Sequence, residues 1–146
     1  MALTIDRLKE CLIYVPETGV FTWLVRPGND KKTNICNAKF SGKRAGTIDT
    51  LGYVKIWIDR KQYRAHRLAW LYMTGEWPPH DVDHANMQRD DNRWMNLRSA
   101  NKSQNGANRS AQINNSTGAK GVTISPNGNA WHARIQVAGK QEYLGS

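Results

Sequence analysis

The most informative segment of the sequence is DVDHANMQRDDNRWMNLRSANKSQNGANRS, which runs from Asp81 to Ser110. It begins with the adjacent pair Asp83 and His84 and continues with a run of asparagines. Amide side chains are poor helix formers and are costly to bury without hydrogen-bond partners. Turns and helix caps account well for three of these asparagines and less well for Asn96 and Asn105. The asparagines of the run are Asn86, Asn92, Asn96, Asn101, Asn105 and Asn108.

Phosphodiester hydrolysis needs a base to activate water and a cation to stabilise charge, and residues of this segment can supply the base and bind the cation. The Asp83 carboxylate suits a hard cation such as Mg²⁺ or Mn²⁺. A helix predicted over Asn101 to Ser110 would bring the side-chain carbonyl of Asn105 to the same metal. His84 would point to the other side of the strand and act as general base. Asn96 would orient the imidazole by a hydrogen bond and set its tautomer.

Basic charge is concentrated ahead of this stretch. The 146-residue chain has a net charge of +9, and residues 26–67 hold eleven Lys or Arg against three Asp, an excess of eight. Aromatic and β-patterned residues lie between these charges, which favours a nucleic-acid surface over a merely solvated face. Phosphate contacts would then give an affinity that falls with salt. The predicted DNA contacts here are Lys43, Arg44, Lys55, Arg60, Lys61 and Arg64.

Composition excludes several classes of protein. No stretch approaches the roughly 20 apolar residues of a membrane span, and the start MALTIDRLKECL is too polar for a signal peptide. The two cysteines, Cys11 and Cys36, lie far apart and indicate neither a disulfide framework nor a cysteine-zinc site. His80 and His84 have half the spacing of a zinc site, but no third ligand lies near. Hydrophobic residues are 39% of the chain, which predicts small modules rather than one large core.

Hydrophobic periodicity predicts an α+β chain. We expect a helix over Thr4–Tyr14, a turn over Pro16–Gly19 and irregular structure over residues 26–41. Strands are predicted over Val20–Leu24, Arg44–Ile48, Tyr53–Ile58 and Gln62–Arg64, the last three forming a basic antiparallel sheet.

A change of period at residue 66 predicts a helix over His66–Thr74, which Gly75 would end. His66 is interpreted as a structural, hydrogen-bonded histidine. Trp70, Trp77 and Trp94 are assigned to packing.

Five submotifs follow one another in order through this part of the chain: HRLAW at 66–70, VDH at 82–84, DNR at 91–93, NLR at 96–98 and SQNGANR at 103–109. In this order they resemble the HNH endonucleases, specifically the phage-type homing enzymes built on a ββα-metal finger, over about residues 53 to 110. The resemblance implies Asp83 and Asn105 as metal ligands, His84 as general base and Asn96 as the residue that positions it. Many members have His where this chain has Asn105, so the second ligand here is neutral. The finger adds Arg93, Arg98 and Arg109 to the predicted DNA contacts.

The C-terminal segment, Lys120 to Ser146, resembles the three-stranded sheet of the ethylene-response-factor type of DNA-binding domain. The matching positions are Gly121-Val122, Trp131, Ala133, Ile135, Gly139-Lys140 and Leu144-Gly145. Strands are predicted over 120–124, 131–137 and 141–144, with His132, Arg134 and Gln136 on the face that would reach DNA. The helix that backs the sheet in that family should follow Leu144-Gly145 and is missing from this sequence. Either the chain is a truncated form, or the apolar face packs on the rest of the protein or on a partner.

These observations predict four segments: a basic, DNA-binding antiparallel β region over 1–65, the HNH finger with its preceding helix over 66–112, a linker over 113–119, and the partial sheet domain over 120–146. The expected function is a metal-dependent endonuclease acting on double-stranded DNA, of the homing or nicking type found in phages and mobile elements. We expect it in the cytoplasm of a bacterial or phage-infected cell, with no membrane partner. The alternative is a non-catalytic, sequence-specific DNA-binding regulator on a degenerate HNH scaffold. No sequence feature establishes a dimer interface, so a monomer is favoured.

Overall fold

The computed structural model describes residues 3–101, 115–125, 127–137 and 140–145, with the backbone alone for residues 136 and 137. The chain divides into two compact units, residues 1–102 and residues 103–146, which are described separately. Both units contain antiparallel strands, and the first also contains helices, so the fold is α+β as predicted. None of the helices in the described residues is long and apolar enough to cross a membrane.

The first unit combines helices with small antiparallel sheets. Strand β1 pairs with β2, β4 lies between β3 and β5, and β6 pairs with β7. Its elements are α1 Ile5–Cys11, β1 Leu12–Val15, β2 Val20–Trp23, α2 Lys31–Phe40, β3 Thr47–Ile48, β4 Val54–Ile58, β5 Lys61–Arg64, α3 Ala65–Thr74, β6 Asp81–His84, a 3₁₀ turn at Trp94–Asn96, and β7 Leu97–Ala100.

The N-terminal helix is shorter than predicted. It begins after Thr4, whose side chain accepts a hydrogen bond from the Arg7 amide, and ends at Cys11. Leu12–Val15 forms β1, which pairs with β2 through the predicted turn. The residues of β1 alternate between buried and exposed, and a strand satisfies this period of two where a helix does not. The prediction of helix through Tyr14 was therefore wrong.

The segment predicted to be irregular contains α2. Asp30 caps this helix by accepting hydrogen bonds from the amides of Lys32 and Thr33. Asn37 fixes it to the preceding chain by bonding the backbone N–H and carbonyl of Arg26. No residue of α2 is buried, so the helix has no apolar stripe for periodicity to detect. Asp30 at the N-cap is the sequence feature that could have indicated this helix.

The central sheet and α3 follow the sequence prediction closely. Val54, Ile56 and Ile58 are buried on one face of β4, and Trp57 is exposed on the other. Asp59 and Arg60 turn the chain into β5 with positive φ at both residues. Helix α3 ends at Gly75, whose φ of 82° is the left-handed conformation expected there.

One hydrophobic core joins the helices and the small sheets of the first unit. Its fully buried members come from α1, the strands and α3, and Val82 of β6 and Leu97 of β7 belong to the same cluster. Trp70, Trp77 and Trp94 pack against it, which confirms their assignment to packing. The first compact unit, residues 1–102, therefore extends across residue 65, the predicted end of the basic β region.

The second unit contains an antiparallel sheet formed by β8 Val122–Ile124, β9 Trp131–Val137 and β10 Lys140–Gly145, in the order β10-β9-β8. The predicted three-stranded sheet is thus confirmed. Trp131 and Ile135 of β9 are 54% and 46% exposed within the described residues. Part of the predicted linker belongs to this unit, because the Thr117 hydroxyl lies within hydrogen-bond distance, 3.0 Å, of the carbonyl oxygens of both Ala119 and Val122.

Candidate active site

Strand β6 carries Asp83 and His84 and pairs with β7. In this register Asp83 lies opposite Arg98 and His84 lies opposite Leu97. Successive side chains of a strand leave on opposite faces. His84 is accordingly buried, with 3% of its surface exposed, while Asp83 points to the other face.

The Asp83 carboxylate is held by Arg98. The guanidinium donates from Nη2 and Nε to Oδ2 at 2.9 and 3.2 Å. The Asp83 side chain is only 11% exposed, whereas that of Arg98 is 49% exposed. Arg98, predicted to contact DNA, therefore contributes to the site as the counter-ion of Asp83. A cation bound by Asp83 would compete with this guanidinium.

The His84 imidazole lies in an aromatic and amide environment. His66 packs edge-on against it with ring centroids 4.9 Å apart, and the Tyr53 ring lies 6.1 Å away. The His84 Nε2 atom is 3.4 Å from the side-chain oxygen of Asn92, a residue that is 2% exposed. Asn92 is therefore the residue seen to orient the imidazole.

The hydrogen bonds of Asn92 favour one tautomer of His84. Its Nδ2 atom donates to the backbone carbonyl of Asp90 at 3.1 Å, which turns Oδ1 toward the imidazole. An amide oxygen only accepts hydrogen bonds, so this contact is a hydrogen bond in the tautomer whose imidazole proton lies on Nε2. The lone pair is then on Nδ1, which becomes the atom able to accept a proton.

Burial lowers the pKa of His84 below its ordinary value. The hydrogen bond with Asn92 and the charges of Asp83, Asp91 and Asp90 oppose this shift. Because burial dominates, the imidazole is neutral near pH 7. A general base must be in this protonation state before the reaction begins.

Asn96 has a different role from the one predicted. Its side-chain oxygen accepts from the Asn86 amide at 3.0 Å, and its Nδ2 atom donates to the Asp91 carbonyl at 2.8 Å. Both groups of the amide thus satisfy backbone atoms of the β6–β7 loop, which would otherwise lack partners. Asn96 closes the loop that carries Asn92, and it acts on His84 only through that loop.

The N-terminal hairpin supports the same loop. The Tyr14 hydroxyl donates to the Asn92 carbonyl at 2.7 Å in a buried position, and the Trp94 amide donates to the Pro16 carbonyl at 2.9 Å. Gly19 approaches so closely that a Cβ there would lie 2.3 Å from the Arg93 nitrogen. The segment predicted to be a separate DNA-binding region is therefore part of the framework of the site.

Arg93 and Asp91 form a second ion pair within the loop. The Arg93 Nη2 atom lies 2.6 Å from Asp91 Oδ2, and Asn86 donates to the same oxygen at 2.7 Å. The hydrogen bond from Arg93 is the main cause that lowers the pKa of Asp91 to about 2. Arg93, another predicted DNA contact, thus stabilises the loop.

His66 differs from the structural, hydrogen-bonded histidine that the sequence suggested. It is 4% exposed, and its Nδ1 atom has no hydrogen-bond partner among the described residues. Burial is the main cause that lowers the pKa of His66 to about 3, so the ring is neutral. Its ring contacts the rings of His84, the candidate general base, and of Tyr53.

The other residues that were predicted to contact DNA lie in different parts of the chain. Lys55 forms an ion pair with Asp49 at 3.0 Å, and Arg64 lies over the Tyr53 ring. His132 and Arg134 lie on β9 of the second unit. Lys43, Arg44, Arg60 and Lys61 are exposed. The predictions for Asn105, Arg109, the side chain of Gln136 and the helix beyond Asn101 fall outside the described residues.

The predicted metal site is described only in part. Within the described ranges, no group of three or more His, Cys, Asp or Glu is placed to hold a metal ion. The Asp83 carboxylate is a hard oxygen donor at a largely shielded position, which fits Mg²⁺ or Mn²⁺. Its predicted partner Asn105 lies outside these ranges.

Comparison with known proteins identifies one part of the chain. No curated protein and no solved structure matches it. Residues 63–107, however, match a family model described as HNH endonuclease. The matched range contains Asp83, His84, Asn92 and Asn96, which form or support the site described above. This part of the chain is therefore similar to the HNH endonucleases, a class of nuclease that acts on DNA.

Proposed function

We propose that this protein is a metal-dependent HNH endonuclease that hydrolyses phosphodiester bonds in double-stranded DNA. The observation that carries the proposal is the buried, neutral His84, whose Nε2 atom lies 3.4 Å from the side-chain oxygen of Asn92. His84 directly follows Asp83 in β6, within the range that matches the HNH endonuclease family.

In this proposal His84 activates the water that attacks phosphorus. Its Nδ1 atom accepts the proton of the water while the new oxygen–phosphorus bond forms and the bond to the 3′ oxygen breaks. Asn92 keeps the ring in place by accepting a hydrogen bond from Nε2 and stabilises the imidazolium that results. Asn96 supports this geometry through the loop.

Asp83 is the proposed metal ligand, with Asn105 as its predicted partner. A divalent cation held there would neutralise charge on the phosphate and on the departing oxygen. Once the charge of Asp83 is compensated, the Arg98 guanidinium becomes available to a phosphate oxygen, for which its planar fork is well suited.

The test is cleavage of supercoiled plasmid with Mg²⁺ or Mn²⁺ by wild type and by the His84→Ala variant. The variant should lose roughly 10²–10⁴-fold in rate, because it lacks the base. It should keep its affinity for DNA in a mobility-shift assay, because the imidazole is buried. The exposed His80 provides a matched control, and His80→Ala should cleave normally. A purified His84→Ala protein that cleaves at the wild-type rate would rule out this role.

The Asp83–Arg98 ion pair favours the alternative of a DNA-binding regulator, since a guanidinium already satisfies the candidate ligand. The same plasmid assay with EDTA separates the two functions, because metal-dependent nicking excludes a regulator. Mapping the products on defined duplexes would then show whether one strand or both are cut. A homing or nicking role in a phage or mobile element, in the cytoplasm of its host, belongs to the same proposal.

A further inference from the structure

Two arginines converge on the ring of Tyr53, beside the candidate general base. The Cζ atom of Arg64 lies 4.2 Å from the ring centroid, and that of Arg89 lies 5.1 Å from it. The same centroid is 6.1 Å from that of His84. The distance from each guanidinium to the His84 ring is therefore at most the sum of two distances: its own distance to the Tyr53 ring, and the 6.1 Å between the Tyr53 and His84 rings.

Different segments of the chain supply the three side chains. Tyr53 immediately precedes β4, Arg64 ends β5, and Arg89 lies in the β6–β7 loop. Arg89 is fixed by a hydrogen bond from Nη1 to the Leu51 carbonyl at 2.8 Å. A guanidinium has five N–H donors, so most of those of Arg89 are not used by this bond. The tertiary structure thus holds both cations next to the site.

The charges of this cluster are not balanced by a carboxylate of the described residues. Within the part of the chain that the structure describes, neither Arg64 nor Arg89 forms a salt bridge to a carboxylate. Stacking on the half-buried Tyr53 ring contributes modestly and leaves the positive charge in place. Two cations held against one ring therefore favour an anion as third partner. Guanidinium groups bind phosphate with matching geometry.

We propose that Arg64, Arg89 and Tyr53 form a binding site for a DNA backbone phosphate adjacent to the one that is cleaved. The inference rests on the proposed nuclease function, because that function places the scissile phosphate at His84. Phosphates of one strand recur about every 3.4 Å along the helix axis, so a neighbour of the scissile group lies within reach of this cluster. Arg89 was not among the DNA contacts predicted from the sequence.

The test is DNA affinity in EDTA, where no cleavage occurs, measured by fluorescence anisotropy at several salt concentrations. The double variant Arg64→Gln and Arg89→Gln should bind about tenfold more weakly. The slope of log affinity against log salt should fall by about one, as expected for one lost phosphate contact. The control Lys31→Gln with Lys32→Gln removes the same charge from exposed positions of α2.

Duplexes with single methylphosphonate substitutions locate the phosphate. Neutralising the contacted phosphate should weaken binding by wild type and leave the double variant unaffected. The proposal is refuted if every substitution affects both proteins equally, or if the arginine variant matches the lysine control. Circular dichroism and thermal unfolding show that the variants are folded. Absence of metal-dependent cleavage by wild type would refute the nuclease proposal instead, and these binding measurements would still decide the phosphate site.

Discussion

Replacing Gly19 with alanine should destabilise the protein more than its position in a surface turn suggests. Gly19 has a φ of 72°, a conformation that costs an L-residue roughly 1–2 kcal/mol. A Cβ there would lie 2.3 Å from the Arg93 nitrogen and 2.4 Å from the Asn92 carbonyl carbon. Because these are backbone atoms, the loop must shift as a whole, and overpacking of this kind costs about 1–3 kcal/mol. The expected loss is about 2–5 kcal/mol in the free energy of unfolding.

Gly42 provides a matched control. Its φ is 73°, but nothing lies within 4 Å of a Cβ built on it. Gly42→Ala should therefore show the conformational cost alone, about 1–2 kcal/mol. Urea unfolding of both variants measures the two losses, with m-values of about 1–3 kcal/mol per molar that should be unchanged. The difference between the variants isolates the close approach of Gly19 to the loop.

The same substitution should also reduce cleavage. Moving the backbone at Asn92 disturbs the hydrogen bond that orients His84. Gly19→Ala should therefore cleave plasmid more slowly than Gly42→Ala at temperatures where circular dichroism shows both proteins to be folded. Equal losses of stability in the two variants would refute the idea that the hairpin presses directly on the loop.

Three further predictions concern the site. Burial lowers the pKa of His66 to about 3 in the folded state, whereas an unfolded histidine titrates near about 6.5. As the pH falls, the unfolded state therefore binds a proton first. The free energy of unfolding should then drop by up to about 1.4 kcal/mol per pH unit toward pH 3. His66→Phe should flatten this dependence in urea midpoints measured from pH 7 to pH 4, and an unchanged slope would contradict the assignment. Asn92→Ala should lower kcat at least tenfold while DNA affinity stays within twofold, because the variant keeps the general base His84 but removes its hydrogen-bond partner. Equal losses of kcat and of DNA affinity would indicate a misfolded loop. Arg98→Met should tighten binding of Mn²⁺ without DNA about fivefold in calorimetry, by removing a competing cation from Asp83, whereas Arg93→Met should have no effect.

The regular elements near the site could be predicted because their signals are local. The alternation of β4 and the end of α3 at Gly75 depend only on neighbouring residues, and the structure confirms both. Helix α2 was missed because it buries nothing, and β1 was merged into α1 because its alternation covers only four residues. In both cases the decisive information was a cap or a pairing partner rather than a period.

The sequence alone was enough to predict that Asp83 and His84 leave a strand on opposite faces, because adjacent residues of a strand always do. It also determined that an HNH-like segment contains them. The contact of His84 with Asn92 rather than Asn96, and the pairing of Arg98 with Asp83, depend instead on tertiary contacts. Chemically equivalent amides compete for such positions, and contacts far apart in sequence decide the outcome. Tyr14, for example, holds the Asn92 backbone from 78 residues away.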